Sequence, residues 1–232
     1  MTTNPPSGSA TAANSVSILS NDDTHSYADT RAAARGGGRL IVGVSGATGV
    51  VYGVELLRVL RKLGVESHLV ITSAGELTRA HETTLSAKEL REMADVAYSV
   101  RDIGAAIASG SFQTMGMIVA PCSIHTLSEI ATGVTGNLLT RAADVCLKER
   151  RRLVLLVRET PLHLGHLKSM QVVTEAGGII MPPVPAFYMR PASIEDLVKH
   201  TVSRALDLFG LDAGAPRWGG VSAQEAKVKR LT

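Results

Sequence analysis

From Arg39 onward, unbroken apolar runs alternate with stretches in which apolar residues recur every three or four positions. RLIVGVSG (39–46) reads as a first strand, and VVYGVELLRVLRKLG (50–64) as a helix with Val50, Val54, Leu57 and Leu60 along one stripe. ESHLVITS (66–73) follows as a second strand, SAKELREMA (86–94) as the centre of another helix and AYSV (97–100) as a short strand. MGMIVAPCS (115–123) has the continuous apolar character of a strand buried on both faces. Helical patterns run through SIHTLSEIATG (123–133) and NLLTRAADVCLKER (137–150), and RLVLLV (152–157) is the next buried strand. HLKSMQVVTEAG (166–177), GGIIMPP (177–183) and SIEDLVKHTVSRALDLFG (193–210) close the chain as helix, short strand and helix.

Strands alternating with helices predict an α/β fold with a parallel sheet covered on both faces. Ligands of such sheets bind outside the carboxyl ends of the strands. Those ends here carry short polar segments: SGATG, TSAG, PCSIHT and RETP. The last is the most telling. An apolar strand ends in adjacent Arg158 and Glu159, stopped by Thr160 and Pro161. Burying unpaired charge is costly, so the pair either emerges into solvent or handles a charged ligand.

Length and composition narrow the picture. A chain of 232 residues suits one domain with tails. Residues 1–38 are rich in Ser, Thr, Ala, Asn and Gly and have no Lys or Arg before Arg31, so they read as a disordered leader with a glycine hinge at 36–38 rather than a targeting signal. The domain proper is expected over 39–210, with 211–232 a C-terminal tail able to pack on a neighbouring subunit. The net charge of +3 and 3% aromatics suit small anions and argue against nucleic acid. No run reaches the ~18 apolar residues of a membrane span. Cys122 and Cys146 form no CxxC pair, which speaks against a disulfide framework or zinc cluster and for a reducing cytoplasm.

The glycines Gly43, Gly46 and Gly49 resemble a phosphate-binding turn without the GxGxxG dinucleotide spacing. The acid that would hold a ribose at the end of strand two is replaced by Ser73, so FMN, with its ribityl chain, fits better than NAD. A turn needed only for close helix–strand packing is the other reading of these glycines. Ser123, Ile124, His125 and Thr126 open a helix, as an anion seat or as a simple N-cap. Glu159, His163 and His166 share a spacing that a helix would put on one face, but Pro161 interrupts it and no fourth metal ligand is evident.

Together, VSGATG, ITSAG, APCSIHTLSEIATG, NLLTRAADVCLKERRRLVLLVRETPLHLGHL and PAFYMRP resemble the UbiX-type flavin prenyltransferases, within the flavin-binding Cys-decarboxylase-like group. The resemblance covers about residues 39–210. It implies a flavodoxin-like, Rossmann-type three-layer fold and a metal-independent transfer of a dimethylallyl group from dimethylallyl monophosphate to reduced FMN. The product, prenylated FMN, serves a UbiD-type decarboxylase. Family members form large homo-oligomers, dodecamers among them, with active sites at subunit contacts.

By the same resemblance, Gly46, Ala47, Thr48, Ser73, Ser123, Ile124, His125, Thr126 and Arg158 bind the flavin. Arg141, Lys148, Tyr188 and Arg204 take the prenyl phosphate, with Glu159, Lys148, Glu82 and Thr48 in catalytic roles and Trp218 packing over the site. Thr48 replaces a commoner serine, and His125 a commoner lysine, which makes the charge there pH-dependent. The DDxxD motif of metal-using prenyl enzymes is missing; the one Asp-Asp pair, Asp22–Asp23, lies in the leader. Two other readings are an FMN-dependent oxidative decarboxylase of a cysteine-containing substrate, and a non-catalytic FMN carrier. Both leave Lys148, Tyr188 and Arg204 idle.

Overall fold

The computed structural model describes residues 38–220 together with Met1 and Thr2, so the expected leader and the end of the tail fall outside the described residues. The elements are β1 (Arg39–Val44), α1 (Val50–Leu63), β2 (Glu66–Ile71), α2 (Ser73–Glu82), α3 (Ala87–Glu92), β3 (Val96–Tyr98), β4 (Gly116–Cys122), α4 (Ile124–Thr132), α5 (Leu138–Lys148), β5 (Arg152–Val157), α6 (Leu164–Glu175), β6 (Ile179–Ile180) and α7 (Ile194–Asp207). Short 3-10 turns lie at Ala106–Ala108 and Phe187–Met189.

All six described strands are parallel, in the order β3-β2-β1-β4-β5-β6. Without the three-residue edge strand β3, the remaining order is that of flavodoxin-like sheets. The β1–β4 junction is the switch point, where the chain stops adding strands on one side and begins on the other.

The apolar runs exist because both faces are covered. Val154 and Leu156 of β5 join a core with α1 and α7, while Leu153, Leu155 and Val157 join another with α4, α5 and α6. All five are at most 3% exposed. Burying such a side chain is worth about 1.5–3 kcal/mol, so no polar residue is tolerated until the strand leaves the sheet at Arg158. The stripe foreseen on α1 is also buried, with Val50, Val54, Leu57 and Leu60 at most 5% exposed.

The structure corrects one expectation. ITSAG does not simply end a strand: Thr72 caps a helix, accepting the Gly75 N–H at 3.0 Å, and α2 runs to Glu82. The interruption read at Pro161 is present, and Glu159, His163 and His166 share no helical face. His163 is the N-cap of α6, its Nδ1 accepting the Gly165 N–H at 3.0 Å, and the preceding residues are not helical.

Candidate active site

The carboxyl ends of β1, β2, β4 and β5 meet at one edge. Ser45, fully buried, links the first to the third: its hydroxyl donates to the Pro121 carbonyl at 3.0 Å and accepts the Ser123 N–H at 2.8 Å. Ser123 then caps α4, its hydroxyl accepting the Thr126 N–H at 3.3 Å. The cap leaves the Ile124 and His125 N–H groups without a partner among the described residues. The N-cap and the anion seat are therefore one arrangement, because a capped helix start still presents free donors. His125 is exposed and lies 3.6 Å from the Glu129 carboxylate.

Gly46 and Gly49 have separate reasons to be glycine. A Cβ on Gly46 would lie 2.4 Å from the Ala74 Cβ, because α2 starts directly against the turn and brings Ser73 beside it. Gly49 has φ 103°, a left-handed conformation that suits glycine. As the N-cap of α1 it supplies no side chain, and Glu82 at the end of α2 acts in its place. The Glu82 carboxylate accepts the Gly49 N–H at 2.8 and 3.1 Å and the Val50 N–H at 2.9 Å.

Partial burial pushes the Glu82 pKa up, but the Thr48 hydroxyl, the two N–H groups and the nearby Arg158 charge outweigh it and hold the carboxyl below its usual range. It is an ionised acceptor at neutral pH. Arg158 comes from the other side, its Cδ 3.4 Å from where a Gly49 Cβ would stand. Thr48, Arg158, Glu159, Thr160, Pro182 and Pro183 border a cavity of about 400 Å³. Glu159 is exposed and accepts the Thr160 N–H at 3.0 Å. Arg158 and Glu159 thus leave the buried strand at the border of an open cavity.

The edge fits an anionic ligand. It offers free helix-start donors at Ile124 and His125, a turn in which Gly46 leaves no room for a side chain, and a guanidinium over a cavity. Both thiols are buried and protonated: desolvation raises the pKa of Cys122 strongly and pushes that of Cys146 up to about 12. Among the described residues no group of three or more His, Cys, Asp or Glu is arranged to hold a metal ion.

The four residues expected at the prenyl phosphate are not brought together within one chain. Arg141 and Lys148 lie on α5, against one face of the sheet, and Arg204 lies on α7, against the other. Arg141 bonds Asp144 at 2.7 Å and the Ala108 carbonyl at 3.2 Å; Lys148 pairs with Glu149, and Arg204 with Asp207. Tyr188 packs edge-on against His200 at 6.0 Å and against Trp218 at 5.3 Å. None of the four borders the strand-end cavity. Sequence reasoning missed Ser45 and the helix that carries Glu82. The signal for Ser45 was a polar residue directly after a fully apolar strand.

A parallel sheet with this strand order and a glycine turn at its switch point defines a flavodoxin-like α/β binding protein. The family model described as Flavoprotein matches residues 30–206. The flavin prenyltransferase UbiX of Escherichia coli strain K12 is 58% identical over 174 residues, which is 75% of this chain and 92% of that relative. The crystal structure of AnUbiX (PadA1) in complex with FMN and dimethylallyl pyrophosphate superposes with a TM-score of 0.78 at 49% identity, covering 79% of this chain and 98% of the other. A structure described as a dodecameric FMN-dependent UbiX-like decarboxylase from Escherichia coli O157:H7 gives 0.77 at 47% identity, covering 78% and 100%. The chain belongs to the Flavoprotein family, among its UbiX-type flavin prenyltransferases.

Proposed function

We propose that this chain is a flavin prenyltransferase that joins the dimethylallyl group of dimethylallyl monophosphate to reduced FMN at N5 and C6, without a metal. The observation that carries this reading is the sheet edge itself. Arg158 and Glu159 leave β5 into the cavity bordered by Thr48, beside the turn capped by Glu82, in a chain closely related to proteins of that name.

Bound reduced FMN supplies the nucleophilic N5 and C6 positions. Gly46, Ala47, Thr48, Ser73, Ser123, Ile124, His125, Thr126 and Arg158 hold it. Arg158 acts as the clamp on the flavin side. Glu159 sits on the phosphate side, where a neighbouring phosphate disfavours its ionisation and suits it to protonate the leaving group. Arg141, Lys148 and Arg204, with the Tyr188 phenol, stabilise the charge that builds on the departing phosphate. Glu82, with Thr48, takes the proton released at N5.

Because Arg141 and Lys148 flank one face of the sheet and Arg204 the other, the phosphate set is completed by neighbouring subunits of a homo-oligomer, a dodecamer as in the solved relative. Residues 39–210 carry the chemistry, while Leu211, Arg217 and Trp218 pack the start of the tail on the chain's own helices. The enzyme works in the cytoplasm, and a UbiD-type decarboxylase receives the product; no described helix is long and apolar enough to cross a membrane.

An anaerobic phosphate-release assay tests the reading. Release that requires protein, reduced FMN and dimethylallyl phosphate together is the expected result. Release without flavin would make the protein a phosphatase, and flavin binding without any release would leave it an FMN carrier.

A further inference from the structure

A second cavity, of about 390 Å³, lies between α1 and α7 under the segments 186–191 and 213–216. It shares no residue with the strand-end cavity, and none of Arg141, Lys148, Tyr188 or Arg204 borders it. Its size is that of a small-molecule site. Val59, Leu63, Met189, Leu197 and Pro216 make its wall apolar.

Its charges do not balance. Lys62, Arg190 and Lys199 stand at the cavity, and none has a side-chain partner among the described residues. The two acids that border it leave the lining net positive. Glu55 pairs with Arg58 at 2.6 Å, and Asp196 accepts the Ala192 and Ser193 N–H groups at 3.0 and 3.2 Å. His200 adds a buried Nε2 with no hydrogen-bond partner, an unusual state for a polar atom. Arg190 holds a left-handed backbone, φ 50°, which a non-glycine residue adopts only at a cost.

We propose that this cavity binds a small amphiphilic organic anion: an apolar body against the Val59–Leu63–Met189 wall, and one carboxylate or phosphate head among Lys62, Arg190 and Lys199. The chain's own tail is a poorer occupant, since residues 221–232 carry Lys227, Lys229 and Arg230 against the single acid Glu225. The prenyl-transfer reading uses none of these cations, although its Tyr188 packs edge-on against His200 at 6.0 Å.

The test is calorimetric titration of the full-length, FMN-saturated protein with hexanoate, hexyl phosphate and hexanol. Saturable binding of at least one anion is expected, with hexanol at least about tenfold weaker and the affinity falling as salt rises. The preferred head group distinguishes carboxylate from phosphate ligands. A Lys62→Glu/Lys199→Glu variant loses about tenfold in anion affinity while prenyl transfer is unchanged. Arg190→Gly weakens binding yet raises the thermal midpoint, because glycine accepts that backbone without strain; a merely structural arginine would move both downward. The proposal is overturned if neither anion binds saturably, or if the double variant binds as the wild type does. It is equally overturned if binding appears only after residues 221–232 are deleted or the oligomer is dissociated, since the cavity would then belong to the tail or to a neighbouring copy.

Discussion

Replacing Glu82 by glutamine separates its two duties, capping α1 and accepting a proton. The carboxylate accepts two N–H groups at the start of α1, at 2.8–3.1 Å, across 33 residues of sequence. Glutamine keeps one acceptor oxygen but loses the charge that favours a helix start. Such a charge is worth about 0.3–1 kcal/mol, and a cap about 1 kcal/mol. Because Glu82 is largely exposed, solvent screening keeps the combined loss near the lower end, about 1 kcal/mol at neutral pH. The folded-state pKa of Glu82 is depressed below 4.5, so its contribution is complete above that value and disappears as pH falls through the folded pKa. Urea unfolding of FMN-free protein, at fixed protein concentration across this range, measures the gap between wild type and Glu82→Gln. The gap is expected at neutral pH and closes in acid. A gap absent at neutral pH, or one that persists undiminished in acid, refutes the charged-cap argument. In the transfer assay the same variant slows turnover, having no carboxylate to take the N5 proton.

Other predictions address different links. Glu159→Gln, assayed anaerobically with reduced FMN and dimethylallyl phosphate, is expected to lose roughly 10²–10⁴-fold in turnover with flavin affinity kept; an unmodified rate removes the acid role. Gly46→Ala forces a methyl group against the start of α2 and is expected to destabilise the FMN-free protein by about 1–3 kcal/mol in denaturant titration. A loss of FMN affinity alone would instead make Gly46 purely a ligand contact. His68 is buried, bonded to Glu66 and to Tyr98, and desolvation lowers its pKa below 6.5 despite the Glu66 carboxylate. As pH falls below 6.5 the unfolded chain takes up this proton first, so stability drops until the folded pKa is passed and then levels off. In His68→Gln this component of the acid sensitivity, followed by urea midpoints, should vanish.

Where burial made the pattern, the fold was legible. The run Leu153–Val157 is apolar because both sheet faces are covered, and the Val50–Leu60 stripe because α1 packs on one of them. The helix α2 was not legible because it buries only Gly75, so no apolar stripe marks it. Pro161 was the sign that the histidine spacing after it carried no helical face, and His163 spends its side chain on a cap. Arg158 and Glu159 stood out because charge ended an apolar strand. The Glu82 cap could not be seen locally, since its partners are distant in sequence, and the family resemblance pointed to the residue but not to the cap. The separation of Arg141 and Lys148 from Arg204 followed from topology, which no residue spacing encodes.

Mass spectrometry of the flavin recovered after anaerobic incubation with dimethylallyl phosphate tests the central claim most directly. The account predicts an adduct heavier than FMN by one five-carbon prenyl unit, formed only with the protein and reduced flavin together. Recovery of unaltered FMN from fully assembled, flavin-loaded protein would contradict it.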